Sequence, residues 1–296
     1  MKKYTHNIFT LRKRIQIWEE FVFRGIMLAC TCIIIFSLFL IVFSVLKKGI
    51  PSLSFSMLTQ TPKGGFYFGK EGGILNAIIG SVYLAFGATL LAFIIGLPAA
   101  LYMHAWLVGK NRLVNAIRFI LDMLWGIPSI VYGAFGFTVM IFFGMKASLL
   151  AGIIVVGVLI LPIMIRAMDE GLKNSPAGLM EASLSLGATK SEMAFKVLVR
   201  QCLPCIITAI LLSFGRAVGD AASVLFTTGF TDNIPTSLNQ PSATLPLAIF
   251  FQLSSPIPEV KSRAYASAVV LTVIILLISI LSRVFTYKYK KNSIKF

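Results

Sequence analysis

EASLSLGATKSEMAFKVLVRQCLP, residues 181–204, is a polar, helix-forming island between strongly apolar runs. Just before it, Asn174-Ser175-Pro176 offers a cap residue followed by a proline at the first helical position, where its missing N–H costs nothing. Leu179, Ala182 and Leu186 then fall on one face of a short helix. Gly187 can take the left-handed conformation that ends it. Thr189 and Glu192 have the spacing of a capping box and start a second helix, which turns apolar towards Leu203. The stretch predicts a bent two-helix element, held at a membrane surface by apolar spans on either side.

The rest of the chain supplies those spans. Its 296 residues are 57% hydrophobic and 13% charged, with a mean hydropathy of +0.87. A soluble domain of this length carries about twice that share of charge. Six spans are predicted, at about 21–46, 74–102, 119–143, 148–165, from the island to about Gly229, and 266–285. The first is too long for the apolar region of a signal peptide and is read as uncleaved. Gly80, Gly87 and Gly96 on the second let helices approach closely. Gly144-Met145-Lys146 is a tight turn, and Leu245–Leu253 is apolar but too short to cross, hence re-entrant or surface-lying. Three regions follow: 1–65 with the basic N-terminus, first span and external loop; 66–286, the main transmembrane region; and a basic tail, 287–296.

Six spans put both termini on one side. That side, with the loops at 103–118 and 166–200, carries 19 of the 27 basic residues, and the other carries seven. Basic residues near span ends stay cytoplasmic, so the termini and the Glu181 island are expected inside. The net charge of +16 is thereby explained by topology and anionic lipid rather than by nucleic acid. Cys202-x-x-Cys205 has redox spacing but not the strand-then-helix context of such a site. The two histidines, His6 and His104, are too far apart to suggest a metal centre.

Charges inside the apolar runs are the candidates for function. Arg216 and Asp220 lie deep in the fifth span, four residues apart on one helix face. Either they neutralise each other, or Arg216 faces the path of an anion while Asp220 holds its guanidinium. The planar fork of arginine suits phosphate-like oxyanions. Asp122 reads as a second buried acid, paired at the cytoplasmic edge with Arg118 one turn away.

Several runs resemble a known family. Glu181-Ala182-Ser183 followed by Gly187 resembles the EAA loop of bacterial ABC-importer permeases. Arg216-Ala-Val-Gly219-Asp220 with Leu225-Phe-Thr-Thr-Gly229 is similar to a run of phosphate-importer permeases. So are Gly126-Ile-Pro128-Ser129-Ile-Val-Tyr132-Gly133 and Gly72-Gly-Ile74…Gly80-Ser81. Leu245-Pro246-Leu-Ala-Ile249 with Ser254-Ser255-Pro256 resembles the PstA-type subunit rather than its PstC-type sibling. The likeness covers about 65–285. Asp220 stands where the family has glutamate and Ala221 where it has threonine, and a frequent Leu-Pro is missing at Val199-Arg200.

The resemblance implies an all-α integral membrane protein with the type I ABC importer permease fold: six transmembrane helices and a cytoplasmic coupling helix at about 176–187. It implies a non-enzymatic transport subunit for inorganic phosphate in a bacterial inner membrane. Its partners would be a PstC-type permease, two PstB-type ATPase subunits and a PstS-type extracytoplasmic binding protein. ATP and Mg would sit on the ATPase subunits, since no G-x-x-x-x-G-K-[ST] occurs here. Glu181, Ala182, Ser183 and Gly187 would dock the ATPase; Arg216 and Asp220 would line the path; Gly126, Pro128, Ser129 and Gly133 would be structural. Alternatives are an ABC permease for another oxyanion or small solute, and an ion-coupled secondary transporter. The latter predicts an internal repeat, and none stands out.

Overall fold

The computed structural model describes residues 2–63, 72–107 and 109–290, with side chains from residue 18 on except at 177, 286, 289 and 290. Gly64-Gly65, Lys70, the side chains of the first basic residues and the end of the basic tail (Lys291, Lys295) lie outside that description.

The described chain is built from helices. A first unit, residues 1–48, is the body of α1 (Lys2–Gly49) and holds an apolar stretch long enough to cross a membrane. The second unit, residues 49–296, begins with a short turn and α2 (Phe55–Thr59). Then come α3 (Leu75–Ala105), α4 (Asn111–Gly126), α5 (Ser129–Phe142), α6 (Leu149–Lys173) and α7 (Ala177–Ser185). After Gly187, α8 (Lys190–Glu192) runs through a π-helical stretch, Met193–Leu198, into α9 (Val199–Gln201). It is followed by α10 (Leu203–Val218), α11 (Leu245–Leu253) and α12 (Pro258–Lys290).

Among the described residues four helices are long and apolar enough to span, and up to six spans result if each bent pair counts as one. The bent pairs are α4 with α5, at 93°, and the Lys190–Gln201 run with α10, at 75°. The third predicted span is therefore a right-angled pair, broken at Ile127-Pro128. Proline fixes its own backbone and disfavours helix at the residue before it.

The core is the face between α3 and α6. Ala85, Ala88, Ala92 and Ala100 of α3 and Val156, Ile160, Met164 and Met168 of α6 are buried there. A Cβ on Gly87 would come within 2.6 Å of Ile153, and one on Gly96 within 3.4 Å of Ile165, so two of the predicted glycines do seat α6. Gly80 serves another neighbour: its Cβ would lie 2.0 Å from the carbonyl oxygen of Ala243.

Some boundaries differ from the sequence reading. Helix α6 continues eight residues past Ile165, because its last turns carry charge that still finds partners inside the bundle. Helix α10 ends at Val218, and residues 219–229 form turns rather than the end of a span. Leu245–Leu253 is a short helix within its predicted bounds, with Leu245, Leu247 and Ala248 buried in contacts with α3 and α12 and Phe250 and Leu253 exposed.

Candidate functional site

The polar island folds as a bent element. Asn174 closes α6, donating from Nδ2 to the carbonyl of Glu170 at 2.9 Å, instead of capping the next helix. Pro176 is the N-cap of α7 rather than its first helical residue. Leu179, Ala182 and Leu186 do not form the seated face. Leu179, Met180 and Ser183 are half-buried, Met180 against the core, while Glu181, Ala182 and Leu184 are exposed and Leu186 is 89% exposed. In so short a helix, tertiary contact rather than periodicity chooses the buried side.

Gly187 ends the helix at φ +85°, as its position suggests, with hydrogen bonds from Gly187 N to Leu184 O and from Ala188 N to Ser183 O. The capping box is present: Glu192 N donates to Thr189 Oγ1 at 3.2 Å, and Thr189 N donates back to Glu192 Oε2 at 3.1 Å.

Above this element lies a charge cluster that sequence reasoning missed. Asp169 is 0% exposed. Its carboxylate receives Arg118 of α4 through two hydrogen bonds, both 2.9 Å, and lies 2.8 Å from His104 Nε2 of α3. Arg166 donates to it at 3.0 Å, and Lys173 Nζ is 3.5 Å away. Asp122 is no buried acid. Its side chain is 45% exposed and pairs with Arg166 at 2.7 Å, while Arg118 has gone to Asp169. Stripping one partner from a buried ion pair typically costs about 3–5 kcal/mol, so this cluster binds α3, α4 and α6 firmly. Arg166, Asp169 and Lys173 at helical spacing were the available signal, but they read as the polar edge of a shorter span.

The Arg216–Asp220 pair forms, with different burial from that expected. Arg216 is in the last turn of α10, its side chain 45% exposed. Asp220 lies past the C-cap Gly219, with its side chain 2% exposed. One of its oxygens accepts from both the N–H (2.9 Å) and the hydroxyl of Ser223. The other faces Arg216 Nη2 at 3.5 Å. The acid is thus the buried, fixed partner and the guanidinium the presented one.

Gly126–Gly133 sits beside this pair. Gly126 ends α4, Pro128 caps α5 and Ser129 begins it. Tyr132 bridges the break, donating from its hydroxyl to Leu124 O at 2.9 Å. Gly133 lies against the turn after Asp220: a Cβ there would meet the carbonyl oxygens of Ala222 and Ser223 at 2.9 Å. Two runs some ninety residues apart in sequence therefore meet at one place. An open cavity of about 350 Å³ between α5 and α6, lined by residues such as Phe135, Val139, Met140 and Val155, is apolar and unsuited to an ion.

The chain is similar to known proteins along most of its length. The family described as binding-protein-dependent transport system inner membrane component matches residues 92–291. The phosphate transport system permease protein PstA of Yersinia pestis is 34% identical over 283 residues, which cover 94% of this chain and 95% of that one. The protein of the same name from Haemophilus influenzae is 32% identical over 253 residues, covering 85% and 87%. Among solved structures, the MetNI methionine ABC transporter in an inward-facing conformation has a TM-score of 0.58 at 20% identity, covering 73% of this chain and 95% of that one. At that identity the likeness shows the fold alone.

The contact at Gly133 generates a stability prediction. Gly133→Val should lose about 1–3 kcal/mol by overpacking against backbone that cannot move aside, and lower the melting temperature of the solubilised protein. Gly126→Ala should leave it unchanged, because nothing lies within 4 Å of that Cβ position. Equal melting temperatures for the two variants would contradict the contact.

Proposed function

Since the chain belongs to the binding-protein-dependent transport system inner membrane component family, we propose that it is the permease subunit of an ATP-driven importer of inorganic phosphate. It would form the membrane path with a homologous permease, fed from outside by a phosphate-binding protein and powered by two ATPase subunits. Both termini and α7 would face the cytoplasm. The observation that carries the reading is the Arg216 guanidinium, presented by a buried carboxylate where the 126–133 and 216–229 runs meet. Relatives named for phosphate transport along nearly the full chain support the choice of substrate.

Arginine offers five donors in a planar fork, which matches an oxyanion better than a point charge does. The carboxylate of Asp220 fixes where that fork sits without filling it, because Ser223 occupies its other oxygen. A phosphate passing such a group would meet a cation held still but not buried.

Energy would enter through α7. The exposed side of that helix carries Glu181, Ala182 and Leu184, with Leu186 just past its end, a short ridge of apolar side chains beside one carboxylate, fit for a groove on an ATPase. Gly187 sets the angle between that ridge and α8. ATP binding on the partners would draw such ridges together and turn the path outward, and hydrolysis would reset it.

Two outcomes test this reading. Arg216→Gln should leave the complex assembled, since the arginine is exposed and Asp220 keeps its Ser223 donors, but should abolish phosphate uptake in reconstituted vesicles. Uptake that survives with unchanged affinity would make the residue structural. Gly187→Val should uncouple ATP hydrolysis from uptake. Space is open around it, so the cause would be backbone strain of about 1–3 kcal/mol at positive φ. Gly187→Asn, which tolerates that conformation, should stay coupled; coupled transport in the valine variant as well would refute the role.

A further inference from the structure

The Asp169 cluster is not part of the docking ridge, nor of the Arg216 locus, yet the helix that carries it leads into α7 and the helix it holds through Arg118 leads into α5. Helix α7 follows α6 after only Asn174, Ser175 and Pro176, and Asp169 is four residues before the end of α6. Its carboxylate ties α6 to α3 through His104 and to α4 through the two bonds from Arg118. A second tie between α4 and α6 is the pair of Arg166 with Asp122. Helix α4 leads into the 93° break, which the Tyr132–Leu124 bond spans. On its far side, Gly133 touches the backbone of Ala222 and Ser223, and Ser223 holds Asp220.

We propose that Asp169 is the transmission residue of the importer: through Arg118 it makes α4 move with α6, so that a displacement of α7 reaches the α4–α5 break and the turn that presents Arg216. This rests on the reading of α7 as the ATPase-docking element. The physical basis is the stiffness of the link. A bidentate guanidinium–carboxylate pair inside a bundle fixes orientation as well as distance, whereas apolar side chains against lipid-like surroundings can slide. Asp169 has no water to fall back on, so its partners cannot part without leaving a charge unpaired.

Spatial intermediacy alone does not establish coupling, so the test reads coupling directly. The complete complex, with its ATPase and binding-protein partners, is reconstituted in vesicles. Solute moved per ATP hydrolysed is measured for the wild type and for Arg118→Gln, Arg118→Lys, Asp169→Asn and Glu170→Gln. Arg118→Gln and Asp169→Asn should keep ATPase activity within about twofold while the ratio falls on the order of tenfold. Arg118→Lys, which keeps the charge but loses the fork, should recover part of it. Glu170→Gln should match the wild type, because Glu170 pairs with Lys173 on its own helix. Should Asp169→Asn fail to assemble, Arg118→Gln decides, since Asp169 there keeps His104, Arg166 and Lys173. A wild-type ratio in Arg118→Gln, or a Glu170→Gln ratio as low as that of Arg118→Gln, would overturn the proposal. Failure of the phosphate reading would show instead in the wild-type complex, which would then hydrolyse ATP without moving phosphate.

Discussion

The structure depends on how closely the backbones of α3 and α6 approach. Inside a membrane there is no gain from hiding apolar surface from water, because lipid is as apolar as the helix. What holds two spans together is dense packing, and that requires small residues at the contact. Helix α3 supplies Ala85, Ala88 and Ala92, with Gly87 beside them, and α6 answers with Gly152 and Gly157. A Cβ on Gly157 would lie 2.8 Å from Leu91, and one on Gly152 would lie 2.1 Å from Thr228. The second of these contacts brings α6 against the turn that follows Asp220. The same seam that binds the bundle therefore also places the polar turn within it.

That turn is a departure from regular helix, and in a bilayer every departure must settle its own backbone polar groups. Here they are settled by the chain itself. Ser148 N donates to Thr227 O and Ser242 N to Thr228 O, both at 3.0 Å. Leu149 N and Leu150 N reach the carbonyls of Gln240 and Leu238 at 2.8 Å. Leu245 N finds Ser81 Oγ at 2.8 Å. Residues 219–244 can thus be irregular without being loose, and an arginine at their edge can be held in one place. The other break, at Ile127-Pro128, lies against this region through Gly133.

What could be read from sequence followed the range of the interaction. Gly187, the Thr189–Glu192 box and the two-helix island were legible because each is decided within about four residues. The Pro128 break was visible as a motif, but its angle was not, since proline ends a helix without saying where the chain goes next. The pairing of charges was misread. Arg118 and Asp122 are one turn apart on α4 and looked like partners, yet each reaches across to α6 instead. A local pair on a helix surface is worth only a few tenths of a kcal/mol, so any buried acid on a neighbouring helix outcompetes it. Asp169 was missed for the same reason: the partners that set it apart from an ordinary charged helix edge, Arg118 and His104, lie 51 and 65 positions away in sequence.

The two buried carboxylates differ in a way that separates their tasks. Asp169 is saturated. Arg118, Arg166, Lys173 and His104 all converge on it, and little of its charge is left to act on anything else. Such a group holds helices; it does not meet a solute. Asp220 is divided, one oxygen committed to Ser223 and the other to a single guanidinium 3.5 Å away. Among the described residues that is the one ion pair Arg216 makes, and it engages one of the guanidinium nitrogens. An arginine overwhelmed by carboxylate would have nothing to offer an anion, and one with no carboxylate would have no fixed position. A half-satisfied pair at the edge of an ordered turn meets both conditions, which is why we assign the path to Arg216 and the lever to Asp169 rather than the reverse.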